Sequence, residues 1–256
     1  MQDVGIVVPV FGRFDMLRDC LEVLPRGVPV YVVDDCTPDP KERKEIKEFV
    51  LGKGFRYFTN GTNSGFPATV NKGIAKSTEP LVLILNSDVV LQPNAFEVMV
   101  SEFKDNEVGV VAPMLLFPEN CENGPMGKVQ HVGLVFDVMG RPRHLFLGWD
   151  PGNPKVFKRR DTLQAVTGAC MMTRRSILKQ TGGFAVVYGR GTYEDVEFCV
   201  LAKTLGFKVV CNPEAIGLHA VAQSAKILGG YPLRENHLKF VSRVGNVIRN
   251  DDYMFL

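Results

Sequence analysis

Hydrophobic positions in the first 115 residues gather into short, nearly continuous runs rich in β-branched residues. Between these runs, apolar residues recur every three or four positions. The runs at 4–10 (VGIVVPV), 28–35, 55–60, 80–88 (PLVLILNSD) and 108–113 predict strands buried on both faces, as parallel strands under helices are. The intervening segments predict helices over 14–24, 41–51, 67–77 and 93–104, and Pro67 and Pro93 fall where a first helical turn tolerates proline. Such alternation predicts an α/β fold with a mostly parallel sheet flanked by helices. Ligands of such open sheets bind beyond the carboxyl ends of the strands, where Asp34, Asp35 and Asn86 to Asp88 fall.

Beyond residue 116 the pattern loosens into Pro, Gly and charge-rich segments, with one strand predicted at 129–136. Order returns at 165–174 (AVTGACMMTR). It continues through a short helix at 176–180, a helix at 194–205, a strand at 208–213 and an amphipathic helix at 236–248 that caps the core. The tail DDYMFL follows.

Composition narrows the class. A chain of 256 residues, 45% hydrophobic and 23% charged, fits one large folded domain and excludes disorder. Its six cysteines show neither CxxC pairs nor short His/Cys spacings, which argues against a zinc cage and for reduced thiols. A cytoplasmic location is the corresponding expectation. The opening MQDVGIVVPVF reads as a strand rather than a leader, and no apolar run approaches the ~18 residues of a spanning helix. Any membrane contact is therefore expected to be peripheral. Net charge is +2, but ten Lys and Arg against three Asp and Glu lie between Lys128 and Gly182. This basic third quarter reads either as solvated loops or as a surface for an anionic partner such as nucleic acid.

Three groups of residues carry candidate chemistry. Asn86-Ser87-Asp88 ends an apolar strand and offers oxygen ligands to a hard divalent cation, although the same tripeptide also makes a simple turn. Glu194 and Asp195 follow the glycine-rich GRGT (189–192) and open a helix, where acids either complement the helix dipole or supply a general base. His219, after an Asn-Pro turn, is a structural histidine or a metal ligand. Four glycines between Gly182 and Gly191 suggest a loop that closes over a substrate.

Taken in order, these segments resemble glycosyltransferase family 2, inverting enzymes with the GT-A fold, over residues 4–224. The resemblance rests on VVPVFGR, VVDDCTPD, NSGFPATVNKG, the DxD-like NSD, GACMMTRR, GGF (182–184) and YEDVEF. It implies transfer of a sugar from a nucleoside diphosphate donor, with 1–115 as the nucleotide-sugar-binding half and 116–256 as the acceptor-binding half of one domain. Pro9, Val10 and Asp35 would then border the base and ribose. Asn63, Gly65 and Asn71 would line the donor pocket with Asn86 and Ser87. Asp88 and His219 would hold Mn2+ or Mg2+, and Asp195 would be the catalytic base with Glu194 beside it. Asn86 departs from the motif as a neutral first ligand, and Glu197 stands where the family often has aspartate, with little expected consequence.

The acceptor implied by family habit is a saccharide or lipid-linked saccharide, strongest for rhamnosyl-type transfer. The basic third quarter offers duplex DNA carrying a hydroxylated base as an alternative. A sugar nucleotidyltransferase or a non-catalytic nucleotide-sugar-binding module is the alternative from another class, although VFGRFDM lacks the glycine-rich basic loop of the former.

Overall fold

The computed structural model describes residues 3–119, 124–220 and 230–251. The elements run β1 (Val4–Val10), α1 (Phe14–Glu22), β2 (Val30–Asp34), α2 (Pro40–Gly52), β3 (Arg56–Thr59), α3 (Phe66–Lys76), β4 (Leu81–Leu85) and β5 (Val89–Leu91). They continue through α4 (Ala95–Glu102), β6 (Val108–Leu116), β7 (Val129–His131), β8 (Leu134–Phe136), β9 (Pro142–His144), β10 (Cys170–Arg174) and α5 (Arg175–Thr181). The chain then forms a 3-10 turn (Val186–Tyr188), α6 (Glu194–Thr204), β11 (Lys208–His219) and α7 (Leu233–Val244). The tail from 252 and Cys121 lie outside the described residues.

Nine strands form one sheet in the order β3-β2-β1-β4-β10-β6-β11-β5, with β7 beside β6. The first half is parallel, as its continuous apolar runs predict: β1 pairs in parallel with β2 and β4, and β2 with β3. The second half supplies the antiparallel strands of the sheet. Strand β10 inserts antiparallel to both β4 and β6, and β5 runs antiparallel to β11. Alternate residues of each central strand face opposite layers. Val7, Ile84 and Met171 join the cluster under α3, α5, α6 and α7, whereas Val8, Leu85 and Met172 join the cluster under α1, α2 and α4. Burial on both faces is what makes these strands read as unbroken apolar runs.

Two further differences matter for the site. The strand expected at 208–213 continues to His219 through an irregularity between Asn212 and Ile216, where Pro213 cannot donate to the ladder. The strand expected at 129–136 is two strands, broken at Gly133, whose φ is +126° and whose ideal Cβ would lie 2.6 Å from the Leu163 side chain. Helix α7 caps the core as expected: Phe240 and Val244 are buried, and Phe240 stacks on Phe136 at 5.9 Å.

Candidate functional site

Asp88 closes the turn between β4 and β5, and the antiparallel pairing of β5 with β11 places His219 opposite Val89. His219 Nε2 therefore lies 3.3 Å from Asp88 Oδ1 although the two residues are 131 positions apart in the numbering. The protonation of this histidine follows from its neighbour. Gln130 on β7 donates its amide Nε2 to the His219 carbonyl at 3.0 Å, so its Oε1 is the atom 2.6 Å from His219 Nδ1. An amide oxygen only accepts, so Nδ1 carries a proton. In the neutral ring, Nε2 then turns a lone pair toward a carboxylate oxygen. A protonated ring would pair directly with Asp88, whereas the neutral ring and the carboxylate together offer nitrogen plus oxygen, a donor set that Mn2+ accepts.

Asn86 Oδ1 is buried without a hydrogen-bond partner, a further uncommitted oxygen in the same turn. Among the described residues no cluster of three acidic, histidine or cysteine side chains forms a closed cage. The residues thus fit a cation held by two side chains, its remaining positions open to a ligand.

Asp195 occupies the first turn of α6. Its Oδ2 accepts from Gly168 N at 2.6 Å and its Oδ1 from Val196 N at 2.8 Å. Burial raises its pKa, and these N–H groups act against that rise. Glu194 beside it has a buried Oε2 without a partner. Burial, followed by the charge of Asp195, pushes the Glu194 pKa well up, so Glu194 keeps its proton more readily than Asp195. The two residues before them, Thr192 and Tyr193, both have positive φ, +80° and +75°, a conformation that side chains disfavour. Asn236 of α7 holds this bend: its buried Nδ2 donates to the carbonyls of Tyr188 and Gly191 at 3.1 and 2.9 Å.

One cavity of about 340 Å3 gathers these groups. Pro9, Val10, Asp35, Asn63 and Gly65 line it, as do Asn86, Ser87, Asp88, Glu194, Asp195 and His219. Asp35 borders the cavity, but its carboxylate is engaged by the chain itself: Ser64 N and Asn60 Nδ2 donate to Oδ1 at 2.7 and 2.8 Å, and Gly65 N to Oδ2 at 2.9 Å. It braces the NSG segment. Gly65 is required there by its φ of +83° and because a Cβ would lie 2.0 Å from the Gly189 carbonyl.

Asn71 corrects the expectation. It is not among the lining residues, and its amide clamps Phe184, donating Nδ2 to the carbonyl at 2.7 Å and accepting the N–H at 2.9 Å. Glu197, expected to matter little, is buried, accepts two bonds from Arg243 at 2.8 and 2.7 Å and one from the Tyr188 hydroxyl at 2.5 Å. Sequence reasoning missed Gln130, His144 and Asn236. For Gln130 a polar residue inside the apolar run VQHVGLVF was the available signal; His144 and Asn236 lie in polar segments and had none.

A family model described as Glycosyl transferase family 2 matches residues 5–182. The chain belongs to glycosyl transferase family 2. Relatives within reach of alignment include the O-antigen biosynthesis protein RfbC of Myxococcus xanthus, 28% identical over 87% of this chain and 18% of that protein. Another is the pre-mycofactocin glycosyltransferase of Mycobacterium tuberculosis, 28% identical over 85% of this chain and 43% of that protein. This family 2 chain therefore spans less than half the length of these relatives. Among solved structures, GalNAc-T7 with UDP, GalNAc and Mn2+ superposes with a TM-score of 0.68 at 13% identity, covering 86% of this chain and 44% of that one. The Pyrobaculum calidifontis mannosyltransferase in complex with GDP-Man and Mn2+ gives 0.65 at 16% identity over 98% of this chain and 66% of that one. The fold is GT-A.

Proposed function

We propose that this chain transfers a sugar from a nucleoside diphosphate sugar to an acceptor hydroxyl, with inversion at the anomeric carbon. The observation that carries the reading is the convergence of the Asp88–His219 pair and the Glu194–Asp195 pair on one cavity. Asp88 and His219 would hold a divalent cation, Mn2+ or Mg2+, whose charge stabilises the departing diphosphate. Pro9, Val10, Asn63 and Gly65 would form the walls around the nucleotide, with Ser87 and Asn86 beside the phosphates. Asp195, ionised by its two N–H partners and raised in basicity by burial, would accept the proton of the attacking hydroxyl. Glu194, protonated, would donate a hydrogen bond to the acceptor. The glycines between Gly182 and Gly191 place the loop carrying Arg190 and Gly191 at the cavity wall, where closure would exclude water.

A saccharide or lipid-linked saccharide is the acceptor class favoured by the O-antigen relative. Residues 1–115 would then supply most of the donor site and 116–256 most of the acceptor site, with His219 reaching across to the cation. The basic third quarter adds little to the duplex DNA alternative, because seven of its ten cations are engaged within the chain. Arg159 pairs with Glu102 and Asp161, Arg141 and Arg143 with Asp137, and Lys128 with Asp150. Arg160, Arg174 and Arg175 donate to backbone carbonyls. Family membership likewise leaves the nucleotidyltransferase alternative without a supporting observation. No helix among the described residues is long and apolar enough to cross a membrane.

The test is a scan of nucleotide sugars with Mn2+, reading nucleoside diphosphate release by wild type and Asp88→Ala. Turnover of one donor that vanishes in the variant supports the reading. Absence of both turnover and metal-dependent nucleotide binding overturns it.

A further inference from the structure

A second histidine faces the cavity, and its protonation is fixed by a chain of hydrogen bonds starting at the backbone. Thr167 N, which only donates, lies 3.3 Å from His131 Nε2. His131 is fully buried, and burial drives its pKa well below the ordinary histidine value, so the ring is neutral. With Nε2 accepting, the single proton of His131 sits on Nδ1. That nitrogen is 3.1 Å from His144 Nδ1, which must therefore accept. The proton of His144 is left on Nε2. Among the described residues Nε2 has no hydrogen-bond partner, while the ring lines the same cavity as Asp88, His219, Glu194 and Asp195. A cationic His144 would need His131 to accept at both nitrogens, which a neutral imidazole cannot do.

We propose that His144 presents a neutral, fixed Nε2–H donor to an oxygen of the nucleotide-sugar substrate, and that His131 is the positioning residue selecting this tautomer. The inference rests on the function proposed above. A neutral donor suits this place: it binds a phosphate or sugar oxygen without competing as a second cation for the metal's role, and without pairing with the Asp195 carboxylate as an imidazolium would. Adjacent residues of β7 thus orient two different rings, Gln130 that of His219 and His131 that of His144.

Three measurements test this. Long-range 1H–15N spectra of the whole chain should show His144 as the Nε2–H tautomer in wild type, and a mixture of tautomers in His131→Phe. The Nδ1–H tautomer in wild type would overturn the proposal whether or not any donor is turned over, which separates this failure from failure of the transferase reading. With the donor found in the scan, His144→Phe should weaken kcat/KM by about five- to twentyfold, with His144→Gln restoring part of the loss through its amide N–H. Binding of the bare nucleoside diphosphate with Mn2+ then locates the oxygen: an equal loss there assigns a phosphate oxygen, and a loss confined to the intact donor assigns a sugar oxygen. Donor turnover by wild type that is unchanged in His144→Phe would refute the proposal while leaving the transferase reading intact.

Discussion

At the scale of single residues, the site depends on how burial and backbone N–H groups divide two adjacent carboxyls. Asp195 has two N–H partners and Glu194 Oε2 has none, so a proton shared by the pair resides on Glu194. Asp195→Asn keeps the shape but removes the proposed base, and kcat should fall by about 10²- to 10⁴-fold while donor binding, measured by titration calorimetry, stays near wild type. The raised pKa of Glu194 also has a sign for stability. Its folded-state pKa lies above the ordinary 4.5, so folding takes up a proton as pH rises past that value. Stability is fully present below the unfolded pKa and declines as pH increases toward the folded one. Glu194→Gln should flatten that decline, seen as melting temperatures that change less with pH on the alkaline side of 4.5.

At the scale of elements, α7 holds the two strained positions before α6. Asn236 donates to the carbonyls of Tyr188 and Gly191, and Arg243 of the same helix binds the buried Glu197 of α6. Replacing Asn236 with Ala leaves those carbonyls short of a partner. The variant should lose about 1–3 kcal/mol in chemical denaturation and show earlier proteolytic cleavage within 186–193 than elsewhere. Arg243→Ala should cost a similar amount, about 1–3 kcal/mol: it strips the buried Glu197 of its cation, but the guanidinium is nearly half exposed and the Tyr188 hydroxyl remains. If both variants melt like wild type, the helix does not hold this bend.

At the scale of the whole molecule, the sheet order brings the first-half turn at Asp88 against the last strand, so the proposed cation would join both halves. A nucleoside diphosphate with Mn2+ at about one hundred times its Kd should stabilise the fold by about 2.7 kcal/mol, or roughly 5–10 °C in melting temperature. Neither component alone should match this shift, and Asp88→Ala should abolish it.

Local pattern made much of this legible. Nearly continuous apolar runs at β1, β2, β4 and β6 state burial on both faces, and the helical periodicity between them states what covers those faces. The motif order from VVPVFGR to YEDVEF named the family, because each motif sits at a strand or helix end whose local chemistry is self-contained. Pairing was not legible in this way. Nothing in LVLIL or CMMTR says that β10 enters between β4 and β6 in the opposite direction, since register and direction are set by non-local contacts. For the same reason Asn71 read as a pocket residue although it clamps Phe184, and Gln130 and His144 carried no functional expectation. The sequence by itself determined the strands and helices of the first half and most of the side chains that could hold chemistry. Only the tertiary structure decided which of those side chains meet, because a hydrogen bond between β7 and β11 joins residues 89 positions apart that no local periodicity connects.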